Sequence, residues 1–230
     1  MRIIIMAAMD SEIAAILPLL EAMSERQYAR ASLYYGQYQG HEFLVANSGI
    51  GTVNAARLTQ LAIDKFCPDA LLHIGIGGAL LPEMQLGEIV LGAEICYHDM
   101  QEDVLEAYEP YRSRFASDAT LLEAAQAMLE EIRQVEHRAL TYRVGGIATG
   151  NHFVQGTAMR DDIQARTGAA IVDMESAAVA QVACLNDVPC LVIRSVSDFA
   201  DEGAEETYEK QEISSAELAA HLVRDLVSRL

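Results

Sequence analysis

One apolar stretch that ends in glycines decides the fold class: Ala70-Leu71-Leu72-His73-Ile74-Gly75-Ile76-Gly77-Gly78. A short, continuous apolar run of this kind is typical of a strand buried inside a sheet. It follows an amphipathic, helix-like segment at 52–66 that Pro68 closes. The same alternation of short apolar runs with longer amphipathic ones continues along the chain, and it predicts an α/β fold.

The other predicted elements extend this alternation in both directions. The predicted strands are 3–8, 33–38, 42–47, 70–76, 88–97, 138–148, 169–173 and 189–196, and the predicted helices are 11–23, 52–66, 117–135, 157–167, 175–186 and 212–230. A chain of 230 residues with this pattern is expected to form one domain, 1–230. Two acidic stretches lack a regular pattern. The stretch 98–116 is either a contact loop or a solvated linker, and 201–211 is predicted to be a mobile lid.

The charge balance argues against nucleic-acid binding. The chain has 16 Lys and Arg against 34 Asp and Glu, which gives a net charge of −18. Such a surface repels phosphate backbones, and no basic run concentrates the few cations. No segment approaches the apolar length that a membrane span needs. Nucleic acids and membranes are therefore not expected as partners.

The cysteines and histidines give no support for a metal site. Four cysteines, Cys67, Cys96, Cys184 and Cys190, are scattered through apolar contexts without the spacing of metal ligands. They are interpreted as reduced, mostly buried thiols, which fits the cytoplasm. The six histidines show no paired ligand spacing either. We expect neither a metal nor a cofactor.

Three carboxylates follow predicted strands, at points where the chain leaves the sheet. Glu12 follows the first strand, Glu175 begins a helix, and Asp198 follows the strand at 189–196. Each has an ordinary structural explanation taken alone, because acids stabilise the first turn of a helix and aspartate is common in turns. Ligands of α/β sheets, however, collect where the carboxyl ends of strands meet. The three carboxylates together therefore predict a site.

Motifs spread over nearly the whole chain point to one family. They are Ala8-Met9-Asp10-Ser11-Glu12, Ser48-Gly49-Ile50-Gly51, the glycines at 75–78, Tyr97-His98-Asp99, Thr149-Gly150-Asn151-His152-Phe153-Val154, Val172-Asp173-Met174-Glu175 and Arg194-Ser195-Val196-Ser197-Asp198. In this order the chain resembles the 5′-methylthioadenosine/S-adenosylhomocysteine nucleosidases of the purine nucleoside phosphorylase superfamily. The glycine stretch lacks the Gly-Lys-Ser/Thr ending of a phosphate loop, so phosphate binding is not expected there.

The resemblance implies a fold and an activity. The fold is a single-domain, three-layer α/β/α sandwich around a central, mixed and twisted sheet. The activity is hydrolysis of the N-glycosidic bond of 5′-methylthioadenosine and S-adenosylhomocysteine, and also of 5′-deoxyadenosine, with release of adenine, in methionine salvage. The family also implies a homodimer. The stretch 98–116, which bears Tyr108 and Tyr111, is the candidate contact.

The resemblance also assigns roles to the carboxylates. Asp198 would protonate N7 of adenine, Glu12 would hold and deprotonate the attacking water, and Glu175 would accept hydrogen bonds from the ribose hydroxyls. One acid must therefore be protonated while another is ionised, which requires different environments. The other substrate contacts that the resemblance implies are Met9, Ile50, Gly78, Phe153, Val154, Met174, Arg194, Ser197 and Tyr208.

Water is the expected nucleophile. A phosphorylase must seat a phosphate dianion, whereas Glu12 would repel phosphate and orient water. Arg194 is a nearby cation, and we expect it to neutralise buried acids instead. Departures from the family pattern at Ile76, Ala79, 151–152, Tyr208 and 98–116 leave the 5′ substituent of the substrate open. The alternatives are an aminodeoxyfutalosine-type nucleosidase, a purine nucleoside phosphorylase, or a nucleoside-binding protein without catalysis.

Overall fold

The computed structural model of the chain describes residues 1–135, 140–227 and 229. The strands are β1 (Arg2–Ala7), β2 (Glu21–Tyr28), β3 (Ala31–Tyr38), β4 (His41–Asn47), β5 (Ala70–Ala79), β6 (Ile89–Tyr97), β7 (Arg114–Ala116), β8 (Tyr142–Thr149), β9 (Ile171–Asp173) and β10 (Cys190–Asp198). The α-helices are α1 (Asp10–Ile13), α2 (Thr52–Phe66), α3 (Glu102–Ala107), α4 (Ala119–Val135), α5 (Thr157–Thr167), α6 (Ser176–Leu185) and α7 (Ala204–Val227). The predicted helices 52–66 and 157–167 have the boundaries of α2 and α5.

One mixed sheet organises these elements. Its order is β10-β6-β8-β9-β5-β1-β4-β3-β2, with β7 added to β6, and β10 also pairs with β5. The strands β5, β10, β6, β8 and β9 therefore close into a ring, while β1, β4, β3 and β2 extend from it as an open sheet. β5 lies at the junction, because it pairs with β1, β9 and β10. The apolar stretch at 70–78 is thus the centre of the fold.

Helices cover both faces of the sheet. Leu58 and Phe66 of α2 pack in one buried cluster with Ala177 of α6, against one face. Leu129 of α4 and Leu226 of α7 belong to a second cluster on the other face. Full burial of side chains of this size stabilises the fold by roughly 1.5–3 kcal/mol each. The expected α/β/α arrangement around a mixed sheet is confirmed.

The carboxyl ends of parallel and antiparallel strands of the sheet meet at one place. β10 runs parallel to β5, and Asp198 pairs with Gly78 after a register shift that follows Val196. β9 runs antiparallel to β5, but the two strands overlap only at their tips, where Gly78 pairs with Val172. Because the overlap is so short, the residues that follow β9 come next to those at the end of β5 and β10. The carboxyl ends of β5, β9 and β10 therefore lie at one site, although β9 runs in the opposite direction to β5.

The predicted helix at 11–23 is wrong beyond Ile13. The chain leaves α1, makes a 3₁₀ turn at Leu17–Leu19 and enters β2. β2 is largely exposed and pairs antiparallel with β3, for example Arg26 with Leu33. Hydrogen bonds to β3 thus outweigh the helical preference predicted for this segment. Strand formation depends on the neighbouring strand, which propensities read from a local stretch of sequence do not take into account.

Three further boundaries differ from prediction. The stretch 98–116 contains α3 and β7, so it is only partly loop. The stretch 201–211 was expected to lack a regular pattern, but α7 begins at Ala204, whose side chain is fully buried and whose N–H donates to the Asp201 carbonyl. Its role as a mobile lid stays a prediction. The predicted strand 138–148 is β8, shifted to 142–149; its first two predicted residues lie outside the described part of the chain. Residues 228 and 230 of the predicted closing helix lie outside it as well.

Within the described residues, no helix combines the length and the apolar character that crossing a membrane requires.

Candidate active site

The three carboxylates line one cavity of about 370 Å³. This volume lies in the range of small-molecule sites. Glu12, Glu175 and Asp198 are each at most 6% exposed. Of the other expected contact residues, those that line the cavity are Met9, Ile50, Gly78, Phe153, Val154, Met174, Ser197 and Tyr208. Arg194 is not among the lining residues and lies beneath the cavity floor.

Glu12 is held by backbone N–H groups from the turn after β1 and from β5. The N–H groups of Ala8 and Met9 donate to its Oε2 at 2.8 and 2.9 Å, and that of Ile76 donates to Oε1 at 3.1 Å. Burial raises the pKa of Glu12, while the Arg194 guanidinium and the three N–H groups act in the opposite direction. The position of the carboxylate is therefore fixed, and its charge depends on the neighbouring cation.

Glu175 is the N-cap residue of α6, and its side chain reaches the turn before α2. There the N–H of Gly51 donates to Glu175 Oε1 at 2.9 Å. The φ of Gly51 is +97°, a backbone conformation that glycine adopts without steric cost. Burial and then the nearby Asp173 carboxylate raise the pKa of Glu175 to about 7. A carboxyl with this pKa changes its charge within the neutral pH range.

Asp198 ends β10 beside the tip of β5. Ser197 Oγ donates to its Oδ2 at 2.8 Å, and the N–H of Ala200 donates to Oδ1 at 2.9 Å. Burial raises the pKa of Asp198 and so favours the protonated carboxylic acid. A Cβ atom on Gly78 would lie 2.7 Å from Asp198 Oδ1, so glycine at this position makes room for the carboxyl. A buried aspartic acid of this kind is suited to donate a proton.

Arg194 pairs with a fourth carboxylate, that of Asp173, which also lines the cavity. Arg194 Nε donates to Asp173 Oδ2 at 2.7 Å, and both side chains are 1% exposed. Asp173 also accepts hydrogen bonds from Thr149 Oγ1, at 2.6 Å, and from Ser176 Oγ. Burial tends to raise the pKa of Asp173, but the guanidinium and these hydroxyls outweigh it and hold the pKa below its usual range. The sequence-based expectation that Arg194 neutralises buried acids agrees with this geometry.

Comparison with known sequences identifies the family. Residues 2–230 match the sequence profile of the phosphorylase superfamily. The chain belongs to the phosphorylase superfamily.

Individual relatives give the resemblance more detail. A 5′-methylthioadenosine/S-adenosylhomocysteine nucleosidase from Anoxybacillus flavithermus is 32% identical, over 98% of this chain and 99% of its own length. The solved structure of the nucleosidase of the same name from Neisseria meningitidis, in complex with methylthio-immucillin-A, is 30% identical with a TM-score of 0.92, covering 100% of this chain and 99% of that chain. The futalosine hydrolase of Helicobacter pylori is 27% identical with a TM-score of 0.91, covering 100% and 98%. The family that the sequence motifs indicated is confirmed.

An apolar wall closes one side of the cavity in this phosphorylase superfamily member. The rings of Phe153 and Tyr208 meet edge to face, with centroids 5.7 Å apart. The Tyr208 hydroxyl donates to Met9 Sδ at 3.2 Å, and a thioether is a weak acceptor. Phe153 and Ile50 are 42% and 53% exposed, so they stand at the mouth of the cavity. This wall offers flat and apolar surfaces to a ligand.

The cavity wall carries acids rather than cations. Among the described residues that line it are the carboxylates of Glu12, Asp173, Glu175 and Asp198, with His152 as the one basic side chain, and neither lysine nor arginine belongs to that set. A phosphate dianion would meet repulsion from these carboxylates. A neutral nucleoside and water are the better-matched ligands for this superfamily member.

Sequence reasoning missed two residues that complete this superfamily site. The motif Val172-Asp173-Met174-Glu175 assigns no role to Asp173, and the apolar pattern of the strand at 70–76 assigns none to His73. Both are polar residues inside otherwise apolar buried strands, and His73 is 0% exposed. Because a buried polar side chain needs a partner, this pattern was the available signal. The identity of the partner, Arg194, follows only from the folded structure.

Replacing Glu175 with glutamine is expected to stabilise the protein at alkaline pH. The folded state binds this proton more tightly than the unfolded state does, so its stabilising contribution is present below about pH 4.5 and is lost as the pH rises through about 7. Ionised Glu175 then costs about 3 kcal/mol. Glutamine avoids that cost and can still accept from Gly51.

The expected result is a Tm about 6–12 °C above that of the unmodified protein at pH 8.5, with little difference at pH 4.5. Thermal unfolding followed by circular dichroism measures this. Glu217→Gln, an exposed position on α7, is the matched control and should not change Tm at either pH. A Glu175→Gln variant whose Tm change is the same at both pH values would contradict the prediction.

Proposed function

We propose that this chain hydrolyses the N-glycosidic bond of 5′-methylthioadenosine and S-adenosylhomocysteine and releases adenine. Its superfamily membership and its nucleosidase relatives support this proposal. The single observation that carries it is the meeting of Glu12, Glu175 and Asp198 in one buried cavity whose described lining lacks lysine and arginine. Such a lining disfavours a phosphate nucleophile and suits water.

In the proposed reaction, the Asp198 carboxylic acid donates its proton to N7 of adenine as the bond from N9 to C1′ breaks. The electron pair of that bond leaves with the base, and the sugar gains positive charge. The Glu175 carboxylate accepts hydrogen bonds from the ribose hydroxyls and stabilises that charge. Glu12 takes a proton from water, whose oxygen bonds to C1′. The products are adenine and the 5-substituted ribose.

The apolar wall is proposed to bind the rest of the substrate. Phe153 stacks on adenine, the Val154 backbone contacts the edge of the base, and Met174 packs on the sugar. Gly78 and Ser197 line the floor next to Asp198. Met9, Ile50 and Tyr208 then surround the 5′ substituent. Arg194 supports this surface from below through its charge.

Adenine release from several 5′-substituted adenosines, measured by liquid chromatography, tests the proposal. The panel contains methylthioadenosine, adenosylhomocysteine and 5′-deoxyadenosine, each with and without phosphate. We expect equal turnover in both conditions and the free 5-substituted ribose as the sugar product. Turnover that requires phosphate and yields the 5-substituted ribose 1-phosphate would show a phosphorylase. Binding without any turnover would show a nucleoside-binding protein.

Aminodeoxyfutalosine is the second candidate substrate. The likeness to the Helicobacter pylori futalosine hydrolase, at a TM-score of 0.91 over the whole chain, favours its inclusion. It carries a much bulkier 5′ group than methylthioadenosine, so the two substrates probe the same end of the cavity. A higher kcat/KM for aminodeoxyfutalosine than for methylthioadenosine would reverse our assignment.

We also propose that the chain acts as a homodimer, in the cytoplasm, in methionine salvage and as one functional domain. Tyr108 and Tyr111 are 70% and 63% exposed, next to α3 and β7. Exposed aromatic side chains are common at the centre of interfaces. Sedimentation velocity at micromolar concentration would give the mass of a dimer, and a monomer mass at all concentrations would exclude this interface.

A further inference from the structure

A chain of buried hydrogen bonds runs beneath the cavity floor. His73 Nδ1 lies 3.0 Å from the Met6 carbonyl oxygen, and His73 Nε2 meets Arg194 Nη2. A carbonyl oxygen only accepts and a guanidinium only donates. His73 must therefore carry its hydrogen on Nδ1 and a lone pair on Nε2. Burial and then the adjacent guanidinium lower the pKa of His73 to about 3, so the ring is neutral.

This hydrogen-bond chain fixes the direction of the Arg194 guanidinium. One edge is held by Asp173 through Nε, and Nη2 is held by His73. The third nitrogen, Nη1, lies beside Gly75, where an added Cβ would be 3.0 Å from it and 2.7 Å from Glu12 Oε1. Glycine at position 75 therefore leaves Glu12 and the guanidinium close to each other. A long arginine side chain that lost one of these anchors would have other orientations available.

Arg194 is the cation shared by the buried acids of the site. It acts to lower the pKa of Glu12, of Asp173 and of Glu175. For Glu12 burial is the larger effect and raises the pKa, and the attraction of the guanidinium limits that rise. The direction of the guanidinium consequently affects which acid is ionised.

We propose that His73 is a positioning residue, whose neutral imidazole holds the Arg194 guanidinium between Asp173 and Glu12 and so keeps Glu12 ionised for its reaction with water. His73 itself does not line the cavity and touches no substrate. The titratable groups that face this network are Glu12 on α1, His73 on β5, Asp173 on β9, Glu175 before α6, and Cys190, Arg194 and Asp198 on β10, with Tyr208 of α7 near Glu12. The link to water activation rests on the proposed function.

Two variants with an amide side chain at position 73 distinguish the positioning role of His73 from a role in packing alone. In His73→Gln, the side-chain oxygen lies where Nε2 was and can accept from Arg194. In His73→Asn, the shorter amide can donate to the Met6 carbonyl but does not reach Arg194. The two variants share the same functional group and both remove a buried ring. Only the asparagine variant removes the anchor of the guanidinium, and thermal unfolding checks that both fold.

The first readout is the ¹³C carboxyl titration of Glu12 by NMR, assigned with the Glu12→Gln variant. We expect the Glu12 pKa to rise by about one unit in His73→Asn and to change little in His73→Gln, because a cation within several ångströms lowers a carboxyl pKa by roughly 1–3 units. This readout does not depend on activity. Equal Glu12 titrations in both variants and the unmodified protein would overturn the inference.

The second readout is the pH dependence of adenine release. The acidic limb of kcat/KM should move up by about one pH unit in His73→Asn, so that activity at a given pH on that limb falls about tenfold and recovers as the pH rises. His73→Gln should keep the original profile, and KM should change little in both. A loss of the same size at every pH in both variants indicates packing alone and would overturn the inference. Absence of adenine release in the unmodified protein would refute the proposed function, while the titration would still decide the role of His73.

Discussion

Asp198→Asn is expected to slow adenine release by about 10²–10⁴-fold, the range that a general acid contributes. Adenine is a poor leaving group as an anion, and an amide cannot supply a proton to N7. The fold should tolerate the change. The asparagine oxygen can still accept from the Ala200 N–H, and its NH₂ group can donate to Ser197 Oγ, which then donates to the Gly77 carbonyl 3.2 Å away. The loss should therefore appear in kcat rather than in substrate affinity.

A substrate with a better leaving group makes this test specific. A 4-nitrophenyl riboside releases a phenolate that leaves without protonation, so Asp198→Asn should retain most of the original rate with it. Asp187→Asn, at an exposed position after α6, is the control for the same chemical change outside the cavity. Single-turnover kinetics with both substrates measure the effect. Near-normal release of adenine by Asp198→Asn would exclude the proposed role of this residue.

Glu12→Gln is expected to reduce hydrolysis by a similar factor, about 10²–10⁴-fold, with both kinds of leaving group. Glutamine cannot take a proton from water, whichever base departs. Its oxygen can replace Oε2 as the acceptor for Ala8 and Met9, but its NH₂ group would face the N–H of Ile76. That unsatisfied donor would cost about 1–3 kcal/mol of stability, so thermal unfolding must accompany the kinetics.

Two further variants help to explain the loss of hydrolysis expected for Glu12→Gln. Glu12→Asp keeps a carboxylate but draws it back by one methylene, and we expect about a 10²-fold loss from the misplaced water. Glu88→Gln neutralises another buried carboxyl, which pairs with Arg143 and does not line the cavity, and should leave turnover unchanged. If Glu12→Gln hydrolysed the 4-nitrophenyl riboside at the original rate, water activation would have to be assigned to another group.

The local sequence pattern correctly predicted the helices that begin or end at glycine or proline. α2 follows Gly51 and stops at Cys67, whose φ of +47° and following Pro68 end the helix. α5 lies between Gly156 and Gly168. β2 carries no such marks, because most of its residues are polar and both of its faces are exposed. Only pairing with β3 makes it a strand, and that partner is not visible in a local window.

The features of the site likewise fall into those that the sequence predicted and those that only the tertiary structure decided. The sequence by itself determined that Glu12, Glu175 and Asp198 lie at the ends of strands, and its motifs indicated the family. Tertiary structure decided that β9 meets β5 tip to tip, that Gly75 and Gly78 make room for two carboxyls, and that His73, Arg194 and Asp173 form one buried network. The physical reason is that burial and charge partners depend on contacts between distant parts of the chain. These contacts set the protonation of the acids, whereas the local sequence sets only their positions along the strands.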